Sequence, residues 1–151
     1  IGMFKVFCKE TFMEFFLNCE IFSCIFMCGV IWIVQLVHYP SFYFVDTNKF
    51  EKFEHFHQKN VTFIVLPMMC LELFSNIINM VYFKNHLNIL DYFLSFLLFT
   101  IWAITFFACI PCHRILSNGS NIHIIDKLIT FNWYRTILWS MRAVLLLIYS
   151  H

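Results

Sequence analysis

Four long apolar segments constrain this chain more than any other feature of its sequence. They cover about residues 12–37, 61–83, 89–110 and 130–150, and each reaches the ~20 residues that a helix needs to cross a bilayer. The apolar runs are continuous and do not alternate with polar residues, which favours helices over the strands of a membrane barrel. We therefore predict an all-α integral membrane protein with one domain, an antiparallel four-helix bundle.

Composition agrees with a membrane location and excludes other classes. Of the 151 residues, 61% are hydrophobic and 13% are charged, whereas soluble domains average roughly 45–50% and ~25%. These values exclude an ordinary soluble enzyme and a disordered chain. The net charge is +1 and the sequence has no run of Lys or Arg. The expected partner is therefore the lipid bilayer and not nucleic acid, and other membrane subunits are a further candidate. The 21 phenylalanines are typical of an AT-rich bacterial or organellar genome.

The connections between the segments differ in length. Residues 84–88 alone separate the second and third segments, which predicts a tight hairpin. Residues 38–60 and 111–129 predict two long loops, which lie on one face of the bundle. The long-loop face carries Lys49, Lys52, Lys59, Arg114 and Lys127, against Lys5, Lys9 and Lys84 on the other face. This excess favours a cytoplasmic or matrix location for the long loops, in a bacterial inner membrane or an organellar membrane.

Two opposite charges lie deep within apolar segments. Glu72 and Arg142 both lie ~16–18 Å from the long-loop face at 1.5 Å per helical residue. An unpaired charge at this depth costs at least ~2.5–3.5 kcal/mol, so we predict an ion pair. Spacings of three and four residues place asparagines and a second arginine on the same two helix faces. The predicted buried polar site is therefore Glu72, Asn76, Asn132, Arg135 and Arg142.

Two interpretations of this polar site are open. Its side chains either pin the second and fourth helices together or form a site for a small molecule, a proton or an ion. In both cases the second segment is expected to pack against the fourth through the polar stripes and against the third through the hairpin. Glu14, Glu20 and Asp91 lie nearer the segment ends, and we expect them to reach water.

Histidines gather on the long-loop face. Their side chains are predicted to bond to loop backbone, and no cofactor is predicted. The alternative is a metal or haem site, because imidazole is a common ligand. Residues Cys109-Ile-Pro-Cys112-His113 also fit the Cys-x-x-Cys-His pattern of c-type haem attachment, although Cys109 lies inside an apolar segment. The residues of this alternative site are His38, His55, His57, Cys109, Cys112 and His113.

Several short motifs together resemble a family of small, uncharacterised bacterial four-helix membrane proteins. They are Gln35-Leu-Val-His-Tyr-Pro40, Pro67-Met-Met-Cys-Leu-Glu72, Pro111-Cys-His-Arg-Ile-Leu116 and Asn132-Trp-Tyr-Arg-Thr136. That family is similar to the anthrone-oxygenase-like domains of unknown function, whose last helix carries an Asn-x-x-Arg-Thr element. The resemblance implies a four-helix membrane fold and, through this remote link, oxidation of a flat aromatic without a cofactor.

The functional expectation is a small polytopic membrane protein. We predict a non-catalytic subunit of a larger membrane complex or a small-molecule binder, with the Glu72–Arg142 pair at its centre. The alternative is a membrane oxidoreductase or oxygenase-like enzyme, with a histidine-rich site at the long-loop face. A c-type haem protein is a third hypothesis.

Overall fold

The computed structural model describes residues 2–82 and 87–149, with side chains over 10–82 and 87–148. Helices make up nearly all of these residues, and no strand occurs among them. The chain forms four helical rods. The second rod is α3 (Thr47–Tyr82) and the fourth is α6 (Ile122–Tyr149). The first rod comprises α1 (Gly2–Ile33), a π-helical stretch (Val34–His38), α2 (Tyr39–Ser41) and a 3-10 turn (Phe42–Phe44). The third comprises α4 (Ile89–Ile104), a π-helical stretch (Thr105–Cys109) and α5 (Ile110–Leu116).

The fold is the predicted all-α four-helix bundle. Three of its rods are long and apolar enough to cross a membrane, namely Glu10–Phe44, Thr47–Tyr82 and Ile89–Leu116. The fourth, α6, carries the stripe of Asn132, Arg135 and Arg142, which lowers its mean hydropathy. Many large apolar side chains point outward around the bundle, as expected for a lipid-facing surface.

The two predicted long loops are wrong, because helix runs through both regions. Helix α3 begins at Thr47, and residues 45 and 46 are all that separate it from the preceding 3-10 turn. Its first turns are amphipathic, because Phe50, Glu54 and His57 recur at helical spacing and are buried, while residues on the opposite face, such as Glu51 and His55, are exposed. Apolar length marks the membrane-crossing part of a helix, and an amphipathic extension is missed by that criterion.

The helices are packed in a different arrangement from the one predicted. Helix α1 packs against α3 and α6, and α4 packs against α6. Helices α3 and α6 therefore lie diagonally and meet through long side chains, and α3 and α4 contact each other sparsely. The predicted hairpin at 84–88 lies outside the described residues except for Leu87 and Asn88, where an Asn88–Asp91 capping box starts α4.

The sparse contact between α3 and α4 matters for the site, because it leaves space between them.

Buried apolar side chains form two clusters along the bundle. One surrounds Trp139 and includes Met27, Met69 and Ile101. The other, which includes Tyr39, Phe42 and Cys109, lies towards the end where the first rod joins the second and the third joins the fourth. That end of the bundle also holds the histidines.

Candidate functional site

The first polar cluster is centred on Arg142. Its side chain is fully buried and donates from Nε to Glu72 Oε1 at 2.8 Å. The guanidinium also bonds to Glu20 Oε1 and to the carbonyl oxygen of Leu94. Trp139 Nε1 donates to the second oxygen of Glu72 at 3.1 Å. The predicted buried Glu72–Arg142 pair is therefore present. We call Glu20, Glu72 and Arg142 the ion cluster.

Glu20 is a member that sequence reasoning missed. It was expected to reach water, but it is 3% exposed and is paired with Arg142. Asn76 donates to its Oε1 at 3.0 Å and Asn79 to its Oε2 at 2.8 Å. Because α1 packs directly against α3, the carboxylate of Glu20 faces the polar stripe of α3. The sequence feature that could have identified Glu20 as buried is its place inside the long helix formed by the first segment.

Asn132 and Arg135 belong to a second polar cluster, closer to the histidine end. Asn132 Nδ2 donates to Gln35 Oε1 at 2.8 Å. Arg135 Nη1 donates to Asn132 Oδ1 at 3.2 Å and to Cys109 Sγ at 3.7 Å. The guanidinium also lies 5.2 Å from the ring centre of Trp139, within cation–π range. The predicted polar site is thus two groups of residues joined through Trp139.

Arg135 is a buried cation with an incomplete set of partners. It is 5% exposed, yet no Asp or Glu oxygen among the described residues lies within 4.0 Å of its guanidinium. Its Nε has no hydrogen-bond partner within the described part of the chain. Removing a charge from water is costly unless it is paired. The surroundings of the Arg135 guanidinium therefore favour the binding of an anionic group.

A cavity of about 440 Å³ adjoins Arg135 between α3 and the third rod. Its volume falls within the ~300–1,000 Å³ typical of small-molecule sites. Leu66 and Phe106 line it and are about half exposed, which places them at an opening towards the lipid side. Trp102 also lines the cavity, and its buried Nε1 is without a partner in the described chain. We call this space the main cavity.

Three of the predicted histidines lie together at this end of the bundle, and His57 and His113 line the main cavity. His38 Nε2 contacts His57 Nδ1, and their rings are stacked with centres 4.3 Å apart. His113 Nδ1 lies 2.6 Å from Glu54 Oε1, and its Nε2 lies 3.1 Å from the hydroxyl of Tyr39. His55 is exposed on the opposite face of α3 and does not join them. These contacts are with side chains and not with the loop backbone that was expected.

The histidine group does not present a metal site. Over residues 10–82 and 87–148, no group of three or more His, Cys, Asp or Glu side chains is placed to hold a metal ion. Cys109 and Cys112 are free thiols buried in the second apolar cluster. The Cys-x-x-Cys-His hypothesis stays a prediction.

A smaller cavity of about 140 Å³ lies at the other end of the bundle, below the ion cluster. Glu20, Asn76, Asn79 and Asp91 contribute its polar lining. The amide oxygens of both asparagines are buried and are not bonded within the described residues. The ion cluster therefore separates two cavities, one near each end of the molecule.

Comparison of the chain with protein families, curated proteins and solved structures finds no match in any of the three. The resemblance to anthrone-oxygenase-like domains stays a prediction.

Proposed function

We propose that the protein binds an amphipathic small molecule, carrying one anionic oxygen group, in the main cavity. The observation that carries the proposal is Arg135, a buried cation with no carboxylate partner in the described chain, at the wall of a largely apolar cavity. An anionic oxygen at this position would supply the missing charge and an acceptor for Nε. Charge-assisted hydrogen bonds of this kind are stronger than neutral ones.

The shape and position of the cavity support a ligand that enters from the bilayer. Val61, Val65 and Met69 of α3 line one side, and Trp102 and Phe106 line the other. Apolar walls suit an aliphatic or aromatic body, and the half-exposed rim faces lipid. Membership of a larger complex stays a separate prediction.

Quenching of Trp102 fluorescence by a brominated ligand tests the proposal. The protein is placed in phosphatidylcholine nanodiscs and titrated with 9,10-dibromostearic acid, or with 9,10-dibromostearyl alcohol as the neutral analogue. We expect saturable quenching by the acid that is lost in Trp102→Phe. Hydrogen bonds to charged groups contribute about 1.5–3 kcal/mol, so Arg135→Gln should weaken acid binding on the order of 10–100-fold.

The matched control is Lys127→Gln, which removes one positive charge from an exposed position of the same helix. It should bind the acid as the unmodified chain does. Equal binding of acid and alcohol, or unchanged acid binding by Arg135→Gln, would overturn the proposal. Arg135→Lys keeps the charge, so retained binding by that variant would show that charge matters more than the shape of the guanidinium.

A further inference from the structure

Three side chains from different helices form a continuous hydrogen-bonded line that ends at the main cavity. Glu54 of α3 contacts His113 of α5 at 2.6 Å, and His113 contacts the hydroxyl of Tyr39 of α2 at 3.1 Å. Glu54 is fully buried and Tyr39 is 3% exposed. Tyr39 and His113 both line the cavity, as does Arg135. We call Glu54, His113 and Tyr39 the relay.

With Glu54 ionised and His113 neutral, the chemistry of the three groups sets the direction of the hydrogen bonds. An ionised Glu54 carboxylate accepts only, so His113 donates from Nδ1. In neutral histidine Nε2 is then the acceptor, and the Tyr39 hydroxyl donates to it. Gln58 holds the arrangement, because its Nε2 donates to Glu54 Oε1 at 2.9 Å and to the carbonyl oxygen of His113 at 3.1 Å.

This order of carboxylate, imidazole and hydroxyl activates the hydroxyl. A base oriented by a third group takes the proton of the hydroxyl as the oxygen reacts, which is the general logic of activated nucleophiles and bases. Burial disfavours a phenolate at Tyr39, and the positive charge of Arg135, which lines the same cavity, acts in the opposite direction. Such stabilisation is strongest in a site that excludes water.

We infer that the main cavity is catalytic, with Tyr39 as the reacting base, His113 as the acceptor of its proton and Glu54 as a positioning residue. The inference rests on the proposed ligand site at Arg135. The Tyr39 oxygen takes a proton from an acidic C–H bond of the ligand, and the electron pair stays on the ligand as an enolate. The original Tyr39 proton moves to His113 Nε2, and Arg135 stabilises the enolate oxygen.

The reaction class that follows is isomerisation. Where the enolate is conjugated with a carbon–carbon double bond, Tyr39 returns the proton to the far carbon of this dienolate. The His113 proton goes back to the Tyr39 oxygen, which regenerates neutral His113. Atoms and electrons balance without an oxidant or a reductant. The substrate class is an amphipathic compound that carries the anionic oxygen group bound by Arg135 and a neighbouring β,γ-unsaturated carbonyl group with an acidic C–H bond.

A covalent probe tests the inference without knowledge of the substrate. In 4-carboxybenzenesulfonyl fluoride, attack by the Tyr39 oxygen forms an O–S bond, the S–F bond breaks, fluoride leaves and the phenol proton moves to His113. Labelling rates are measured over a range of probe concentrations by peptide mass spectrometry. The concentration at half-maximal rate reports binding at Arg135, and the maximal rate reports activation of Tyr39.

We expect saturable labelling of Tyr39 that is faster than labelling of Tyr43, which is more exposed and bonds to Asp126 outside the relay. His113→Gln should lower the maximal rate by about 100-fold or more while leaving the half-saturating concentration unchanged. Glu54→Gln should give an intermediate loss. Unchanged Tyr43 labelling serves as the folding control in each variant.

The two proposals fail in different ways. An unchanged half-saturating concentration in Arg135→Gln would contradict the binding proposal. A maximal rate that survives both His113→Gln and Glu54→Gln, or wild-type labelling of Tyr39 no faster than that of Tyr43, would overturn the relay. If His113→Gln fails the folding control, the decision rests on Glu54→Gln and on the comparison of Tyr39 with Tyr43.

Discussion

Replacing Arg142 by methionine should destabilise the bundle more than any exposed substitution. Methionine keeps an unbranched apolar stem but removes the charge, so both Glu20 and Glu72 lose their cation and the Leu94 carbonyl oxygen loses a donor. Breaking a buried ion pair by removing one partner costs about 3–5 kcal/mol. The insertion cost of an unpaired charge at mid-membrane depth, ~2.5–3.5 kcal/mol, supports the same range.

At about 1.4 kcal/mol per factor of ten, this loss raises the unfolding constant on the order of 10²–10³-fold. Equilibrium unfolding in detergent micelles, followed by circular dichroism, measures the free energy of unfolding. Arg114→Met is the control, because Arg114 is exposed, and it should change that free energy by less than about 0.5 kcal/mol. The double variant with Glu72→Gln should cost less than the sum of the two single changes. An Arg142→Met variant within about 0.5 kcal/mol of the unmodified chain would refute the ion cluster as a source of stability.

Two further substitutions test individual buried contacts by the same unfolding assay. Glu20→Gln weakens the pairing with Arg142 and should cost about 1–3 kcal/mol, whereas Glu14→Gln, at an exposed position of the same helix, should be close to neutral. If the two variants unfold alike, Glu20 is not part of the cluster. Asn132→Ala leaves the buried oxygen of Gln35 without its donor, and we expect a loss of about 1–3 kcal/mol. Asn118→Ala, which removes an exposed amide, should stay within about 0.5 kcal/mol, and equal losses in the two asparagine variants would contradict this account.

The Glu72–Arg142 pair could be predicted because it depends on two quantities that the sequence contains. One is the depth of each residue in its segment, and the other is the large cost of an unpaired charge in lipid. Neither depends on which helices are neighbours. Long side chains can meet across the diagonal of a bundle, so the pair forms although α3 and α6 are not packed directly against each other.

The grouping of the remaining polar residues could not be predicted, because it depends on helix order and register. Asn76 was assigned to the face that meets the fourth helix, but its amide bonds to Glu20 of α1. Glu20 was set aside because a glutamate near a segment end can reach water by extending its side chain. Only the observed contact between α1 and α3 shows that this glutamate points into the bundle.

The relay could not be predicted from the sequence, for a different reason. Glu54 and His113 lie in regions that were predicted as loops, so their relative positions were undefined. Their burial follows from the helical continuation of α3 and of the third rod beyond the apolar segments. A count of helical periodicity from residue 47 onwards would have placed Phe50, Glu54 and His57 on one face.

Helix α6 links the two halves of the site, although it is not among the rods that are apolar enough to cross a membrane. Asn132, Arg135, Trp139 and Arg142 recur at spacings of three, four and three, so one face of a single helix supplies both polar clusters. Trp139 contacts Arg135 through its ring at 5.2 Å and Glu72 through its Nε1 at 3.1 Å. An anion that neutralises Arg135 would change the electrostatic field at the same indole that donates to the ion cluster. The polar stripe lowers the hydropathy of α6, but it gives the bundle a physical connection between a ligand cavity and its central charges.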